Sequence, residues 1–373
     1  MNRPLTVAVS GMNAGESPQP GPAIARSLRE APGFTEAPCH GRIVGLLYDA
    51  MESGVYSGDL LDAAYVVPYP SSGSDALAAR IEHIHARHPI DVILPTLDAE
   101  LPAYIRLTPF LRELGIRMFL PTEEQLDARS KSRLADFARK IGIDSPRQKL
   151  VSSLDLVPSA FAEFNTRGAG AMVKGVFYEA AHAATSADAV KIAAKIAVKW
   201  GMPVILQEKI LGEEYDLAMV GDGEGGMIGA VAIKKMALTE KGKAFGGMTI
   251  SDKELFAIGR KFIERTKWRG PLEMEFVKAT GNGAASGVAA GSAAGDNKYY
   301  LIEINPRFPA WIYLASQVGQ NLPWAVVRMA LGEEIDEFAT YEPGRFFVRH
   351  AVDIVADLAM LERLTMEGEL QIR

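Results

Sequence analysis

Glu303, Asn305 and Arg307 close the run Tyr-Tyr-Leu-Ile-Glu-Ile-Asn-Pro-Arg at 299–307. The apolar start of the run predicts a strand, and alternate residues of a strand share a face. The three polar side chains can therefore project into one site. A carboxylate and an amide oxygen two residues apart suit Mg2+, and an arginine beside them suits a phosphate oxygen or a substrate carboxylate. Upstream, Gly-Pro-Leu-Glu-Met-Glu-Phe-Val at 270–277 predicts a second strand with Glu273 and Glu275 on one face. An antiparallel pairing of the two strands sets Glu275 opposite Glu303. Two Glu and one Asn then supply oxygen ligands, and a triphosphate with water completes the shell of a Mg2+ ion. The plainer reading is an edge strand with a solvated, polar end.

The elements that must position these groups follow from the pattern of the chain. Short β-branched runs at 5–10, 43–49, 64–70, 91–96 and 116–122 alternate with helical spacing near 23–30, 75–87 and 99–114. That alternation predicts βαβ units and a parallel sheet, so residues 1–122 read as an open α/β domain. Ligands bind such sheets at the carboxyl ends of the strands, here Ser10 to Gly15, Asp49 and Thr96 to Glu100. The first loop lacks G-x-G-x-x-G, which argues against a dinucleotide. A helix follows Lys131 and ends at Gly142 and Pro146, a glycine stop with a proline beyond. Residues 171–174 form a strand ending in Lys174, 187–200 an alanine-rich helix, and 203–222 a strand, a turn and a strand. The stretch 234–251, with four lysines and three glycines, reads as a flexible phosphate cover or an acid-recognising loop. Residues 279–298 are low-complexity Ala/Gly/Ser and read as a disordered hairpin insertion remote from the chemistry.

The ordered set Lys131, Lys174, Glu208 to Glu214, Glu275 and Glu303-x-Asn305-Pro-Arg307 resembles the ATP-grasp superfamily over about residues 1–335. It is most similar to the ligase halves of carbamoyl-phosphate synthetase, and also to biotin carboxylase and the D-alanine–D-alanine ligases. The resemblance implies Glu275, Glu303 and Asn305 as metal ligands. Glu273 is the alternative to Glu275, which is favoured because it directly precedes Phe276-Val277. Arg307 would contact phosphate or substrate and act in catalysis with Lys174. Lys131 and Lys174 would touch the nucleotide phosphates. Glu208, Lys209 and Ile210 match the adenine slot, Gly212-x-Glu214 matches the ribose contact, and Lys234 is a further nucleotide contact. A glycine-rich cover after the second lysine is typical of the family. This chain has Gly-Val-Phe-Tyr-Glu-Ala-Ala-His-Ala-Ala-Thr-Ser there, so that Tyr178, His182 or Thr185 would substitute, or the cover would sit elsewhere. The implied cofactors are ATP and Mg2+, with Mn2+ as a substitute for the latter.

The implied fold class is α/β: a Rossmann-like leading domain (1–122), then an ATP-grasp fold of two α+β subdomains (123–202 and 203–340), then a terminal strand and helix (341–373). The implied activity is an ATP-dependent carboxylate–amine ligase that forms an amide or peptide bond through an acylphosphate, releasing ADP and phosphate. Bicarbonate or carbamate phosphorylation is the alternative within enzymes, and a non-catalytic nucleotide-binding regulator the alternative outside them. Expected partners are small carboxylates and amines, amino acids or a peptide among them. Trp311 and Tyr313 read as core or pocket wall, and with Phe308 they hint at an apolar or aromatic substrate part. Homodimers are common in the superfamily. The 373 residues, 48% apolar and 23% charged, carry a formal charge of −6. That balance gives no reason to expect nucleic acid or an anionic membrane. There is no run of 18 apolar residues and no signal-peptide layout. The single cysteine, Cys39, excludes an intrachain disulfide and fits a reducing, cytoplasmic setting.

Overall fold

In the computed structural model, Thr6–Ser10 is a strand with all five residues buried. The description covers residues 3–15, 17–165, 168–176, 179–239, 242, 244–280 and 297–373. The expected insertion at 279–298 falls mostly outside them, as does Tyr178.

The contacts divide the chain into two compact units: Met1–Glu123 with Leu217–Glu273 and Asn305–Arg373, and Glu124–Asp216 with Met274–Ile304. In the first unit, Thr6–Ser10 lies between Arg42–Leu47 and Val92–Leu94, parallel to both. Ala63–Val66 extends the sheet in parallel beyond Arg42–Leu47. These central strands are short, apolar and buried on both faces, as parallel strands covered by helices must be. The far edge is closed by Glu369–Gln371 from the end of the chain, antiparallel to Ala63–Val66. The C-terminal strand thus belongs to the leading sheet, a long-range pairing that its three residues do not advertise.

The same unit holds Met227–Leu238, paired antiparallel to Ala244–Ile250 with register shifts after Lys235 and Ala237. Phe346–Val348 adds to the outer edge. The lysine- and glycine-rich stretch expected to be a flexible loop is therefore largely a two-stranded ribbon. Gly247 permits it, because a Cβ there would sit 3.0 Å from the Phe347 ring. Phe308 and Trp311 are 3% and 5% exposed and belong to the apolar core.

In the second unit, Gln148–Val151, Val204–Glu208, Ala171–Gly175 and Ala180–Ala183 form an antiparallel sheet in that order. The helices Val157–Phe164 and Ser186–Trp200 cover it, burying Phe161, Phe164, Ala193 and Ile196 against Val173 and Leu206. Thr185 starts the second helix with a reciprocal capping box to Asp188. His182 lies on the edge strand with Nε2 at 2.9 Å from the Ala169 carbonyl. Both are engaged in the local structure. The strands Gly212–Asp222, Arg269–Ala279 and Tyr299–Asn305 carry Glu214, Glu273, Glu275, Glu303 and Asn305.

Candidate functional site

Lys174 ends the central strand Ala171–Gly175 of the second unit, half-buried between the fully buried Val173 and Gly175. Burial pushes its ammonium down to about 8, with Lys131 adding repulsion and Glu303, Glu275 and Glu214 opposing it. Two lysines and three carboxylates thus share one electrostatic neighbourhood. Lys131 Nζ lies 3.1 Å from Glu303 Oε1, both partly exposed.

Lys131 sits in a turn, and a side chain that the sequence reading missed pins that turn. The Gln148 amide donates to the carbonyls of Lys131 (2.8 Å) and Ser132 (3.2 Å). Gln207, 3% exposed, donates in turn to Gln148 Oε1 at 3.2 Å. Polar residues inside strands were the available signal: a buried amide in a sheet must have a partner.

At the start of Gly212–Asp222 the backbone approaches its neighbour closely. A Cβ on Gly212 would lie 2.0 Å from the Lys278 carbonyl oxygen, so glycine is needed there for space. Glu214 follows, half-buried. Ile210 packs with Val277, Ala279, Tyr300 and Ile302 as a small apolar floor. Burial lowers the Lys209 ammonium. Glu208 is engaged twice: its N–H donates to the Arg147 carbonyl at 2.8 Å, and its carboxylate accepts from the Arg147 guanidinium at 3.1 Å.

The first unit holds a second cluster. Glu273 is 5% exposed and accepts from Asn305 Nδ2 (3.0 Å), Trp311 Nε1 (3.0 Å) and Arg307 (3.5 Å). The bond from Asn305 fixes its amide so that the oxygen is the end turned away from Glu273. Arg307 Nε also donates to Asp98 Oδ1 at 2.9 Å, and its guanidinium donates to the Phe308 carbonyl at 3.1 Å. Asp98 comes from the loop after Val92–Leu94, one of the strand-end loops read as a binding crevice. Lys234 is half-buried on Met227–Leu238, opposite Met248.

The acids of the other strand-end loops hold the backbone together. Glu100, fully buried, accepts from Ser10 Oγ, the Tyr48 hydroxyl, Thr96 N (2.6 Å) and Leu97 N (2.9 Å). Burial pushes its carboxyl up. Glu52 accepts from Met12 N and Tyr48 N at 2.6 and 2.7 Å. Charge-assisted bonds to amides of this kind rigidify a crevice.

No helix among the described residues is long and apolar enough to cross a membrane. No family model matches the chain, and no curated protein is matched by sequence. Solved structures match it over most of its length. One is the biotin carboxylase domain of Hydrogenobacter thermophilus 2-oxoglutarate carboxylase, in complex with MgADP, ADP and bicarbonate. It has a TM-score of 0.64 at 16% identity over 88% of this chain and 70% of that one. A second is the Campylobacter jejuni biotin carboxylase–β,γ-ATP complex, with a TM-score of 0.65 at 13% identity over 88% and 71%. A third is the L-amino acid ligase of Bacillus licheniformis, with a TM-score of 0.60 at 13% identity over 89% and 75%. Identities this low speak to fold alone. The chain has the fold of the ATP-grasp proteins.

Proposed function

We propose that this chain is an ATP-dependent carboxylate–amine ligase that activates a carboxylate as its acylphosphate and joins it to an amine. The observation that carries the reading is the cluster around Lys174: a half-buried ammonium on the strand Ala171–Gly175, beside Lys131, whose Nζ lies 3.1 Å from Glu303 Oε1, with burial lowering Lys174 to about 8. A polyanion there relieves the repulsion and gives the buried ammonium a counter-charge that offsets its desolvation. The donor set Glu275, Glu303 and Asn305 is all oxygen, which fits Mg2+, or Mn2+ in its place. When bound, that ion would neutralise phosphate charge. Glu275 is the better ligand than Glu273, whose two oxygens already serve Asn305, Trp311 and Arg307.

The chain's own contribution is positional and electrostatic, which phosphoryl transfer needs more than covalent help. Lys131 and Lys174 hold the phosphates. Glu208, Lys209 and Ile210 line the adenine edge, Glu214 takes the ribose hydroxyls, and Lys234 adds charge. Arg307, aimed by Asp98 and Glu273, binds the substrate carboxylate. It then stabilises the oxyanion formed as the amine displaces phosphate. The L-amino acid ligase among the similar folds supports amino acids as substrates. The biotin carboxylase in complex with bicarbonate supports the second reading, bicarbonate phosphorylation.

The test is Mg-ATP turnover with pooled amino acids, small carboxylates and bicarbonate, resolving ADP from AMP. ADP and phosphate release that needs both a carboxylate and an amine supports the ligase. Release that needs bicarbonate alone supports the second reading. AMP with pyrophosphate, or no turnover despite nucleotide binding, overturns both.

A further inference from the structure

Three arginines of the first unit, none of them part of the proposed nucleotide site, line one cavity of about 300 Å3. Arg112 comes from the last turn of the helix Leu101–Glu113. Arg117 follows the turn after it, and Arg269 opens the strand Arg269–Ala279. Ile116, Met118 and Leu331 supply an apolar wall, and among the described residues no aspartate or glutamate lines the cavity.

Arg269 is fixed in place. It donates to the Leu120 carbonyl at 2.7 Å, and its guanidinium lies 3.9 Å from the centre of the Phe119 ring. Burial and the charge of Arg112 both press its guanidinium toward neutrality. Among the described residues, the side chains of Arg112 and Arg117 make no hydrogen bond or ion pair. Like charges converging on a concave wall without a carboxylate to separate them repel one another, and a bound anion removes that cost.

We infer that this cavity binds a small organic anion bearing two or more carboxylate or phosphate groups. Guanidinium groups present paired N–H donors that match either oxyanion. The volume lies at the lower end of ligand cavities, which limits the guest to a compact molecule. The apolar wall accommodates its short carbon frame. This inference does not depend on the proposed ligase activity.

The test is calorimetric titration of the full chain at low ionic strength with citrate and, separately, inorganic pyrophosphate. Three proteins are compared: wild type, Arg112→Ala/Arg117→Ala and Lys131→Met/Lys174→Met. Both arginines are exposed, so the first variant should keep its unfolding temperature. The expected result is saturable binding of at least one probe that the arginine variant weakens tenfold or more and the lysine variant leaves within twofold. Citrate alone would mark a polycarboxylate site, and pyrophosphate alone a phosphate site. Binding of neither probe, binding indifferent to the arginine substitutions, or binding lost in the lysine variant overturns the inference.

Discussion

The Asn305 side-chain amide donates to the Glu273 carboxylate at 3.0 Å, and both residues are 5% exposed. A buried carboxylate that accepts from an amide, an indole and a guanidinium is an organiser of its neighbours. Glu275, two residues along the same strand, is half-buried.

The two acids should therefore fail differently. Glu273→Ala removes the acceptor of two buried donors, Asn305 Nδ2 and Trp311 Nε1, and should lower stability by about 3 kcal/mol. Glu275→Gln should leave the unfolding temperature nearly unchanged and shift the Mg2+ dependence of turnover upward at least tenfold. Thermal unfolding and a Mg2+ titration separate them, and the reverse pattern would exchange their roles.

Lys174→Met should stabilise the protein while weakening nucleotide binding. The lysine titrates near 8 when folded and at 10.5 when unfolded. Between those values the unfolded chain holds the extra proton, so stability rises with pH across that window. The penalty is complete below pH 8 and gone above 10.5. The gain in unfolding temperature should be largest below pH 8 and should shrink toward pH 10.5. Nucleotide affinity of the wild type should fall above pH 8, with proton uptake on binding. A variant that is less stable at pH 7 would contradict the assignment.

Asp98→Asn should lower kcat at least tenfold with little change in nucleotide affinity, because the Arg307 contact at 2.9 Å loses its charge. Asp98→Glu should recover part of the loss. Equal damage from both substitutions would mean that Asp98 only maintains the loop.

Gly212→Ala should cost about 2 kcal/mol or more, since its Cβ would lie 2.0 Å from a carbonyl oxygen that cannot turn aside. Denaturant unfolding reads this directly. A neutral result would show that the two strands separate without penalty.

Long apolar runs were legible, as at Thr6–Ser10 and Ser186–Trp200, whereas the run at 116–122, read as a strand, holds only an isolated bridge from Arg117 to Val92. The fold followed from ordered motifs rather than from any single one. Asp98 and Arg307 are 209 residues apart, and nothing local in either segment announces the other. Gln148 and Gln207 look like ordinary surface amides until the sheet pairs them. The stretch after Lys234 reads as a loop because lysine and glycine are poor strand formers, and tertiary pairing overrides that preference. Trp311 reads by type as core or pocket wall, and it is buried in the core with Phe308.

The most direct test of the central claim uses a carboxylate substrate, taken from the turnover assay, labelled with 18O in both carboxyl oxygens. Activation as an acylphosphate transfers one labelled oxygen to the phosphate released with ADP. One 18O per phosphate is the result expected here. Label appearing in AMP, or phosphate free of label while the amide product forms, would contradict it.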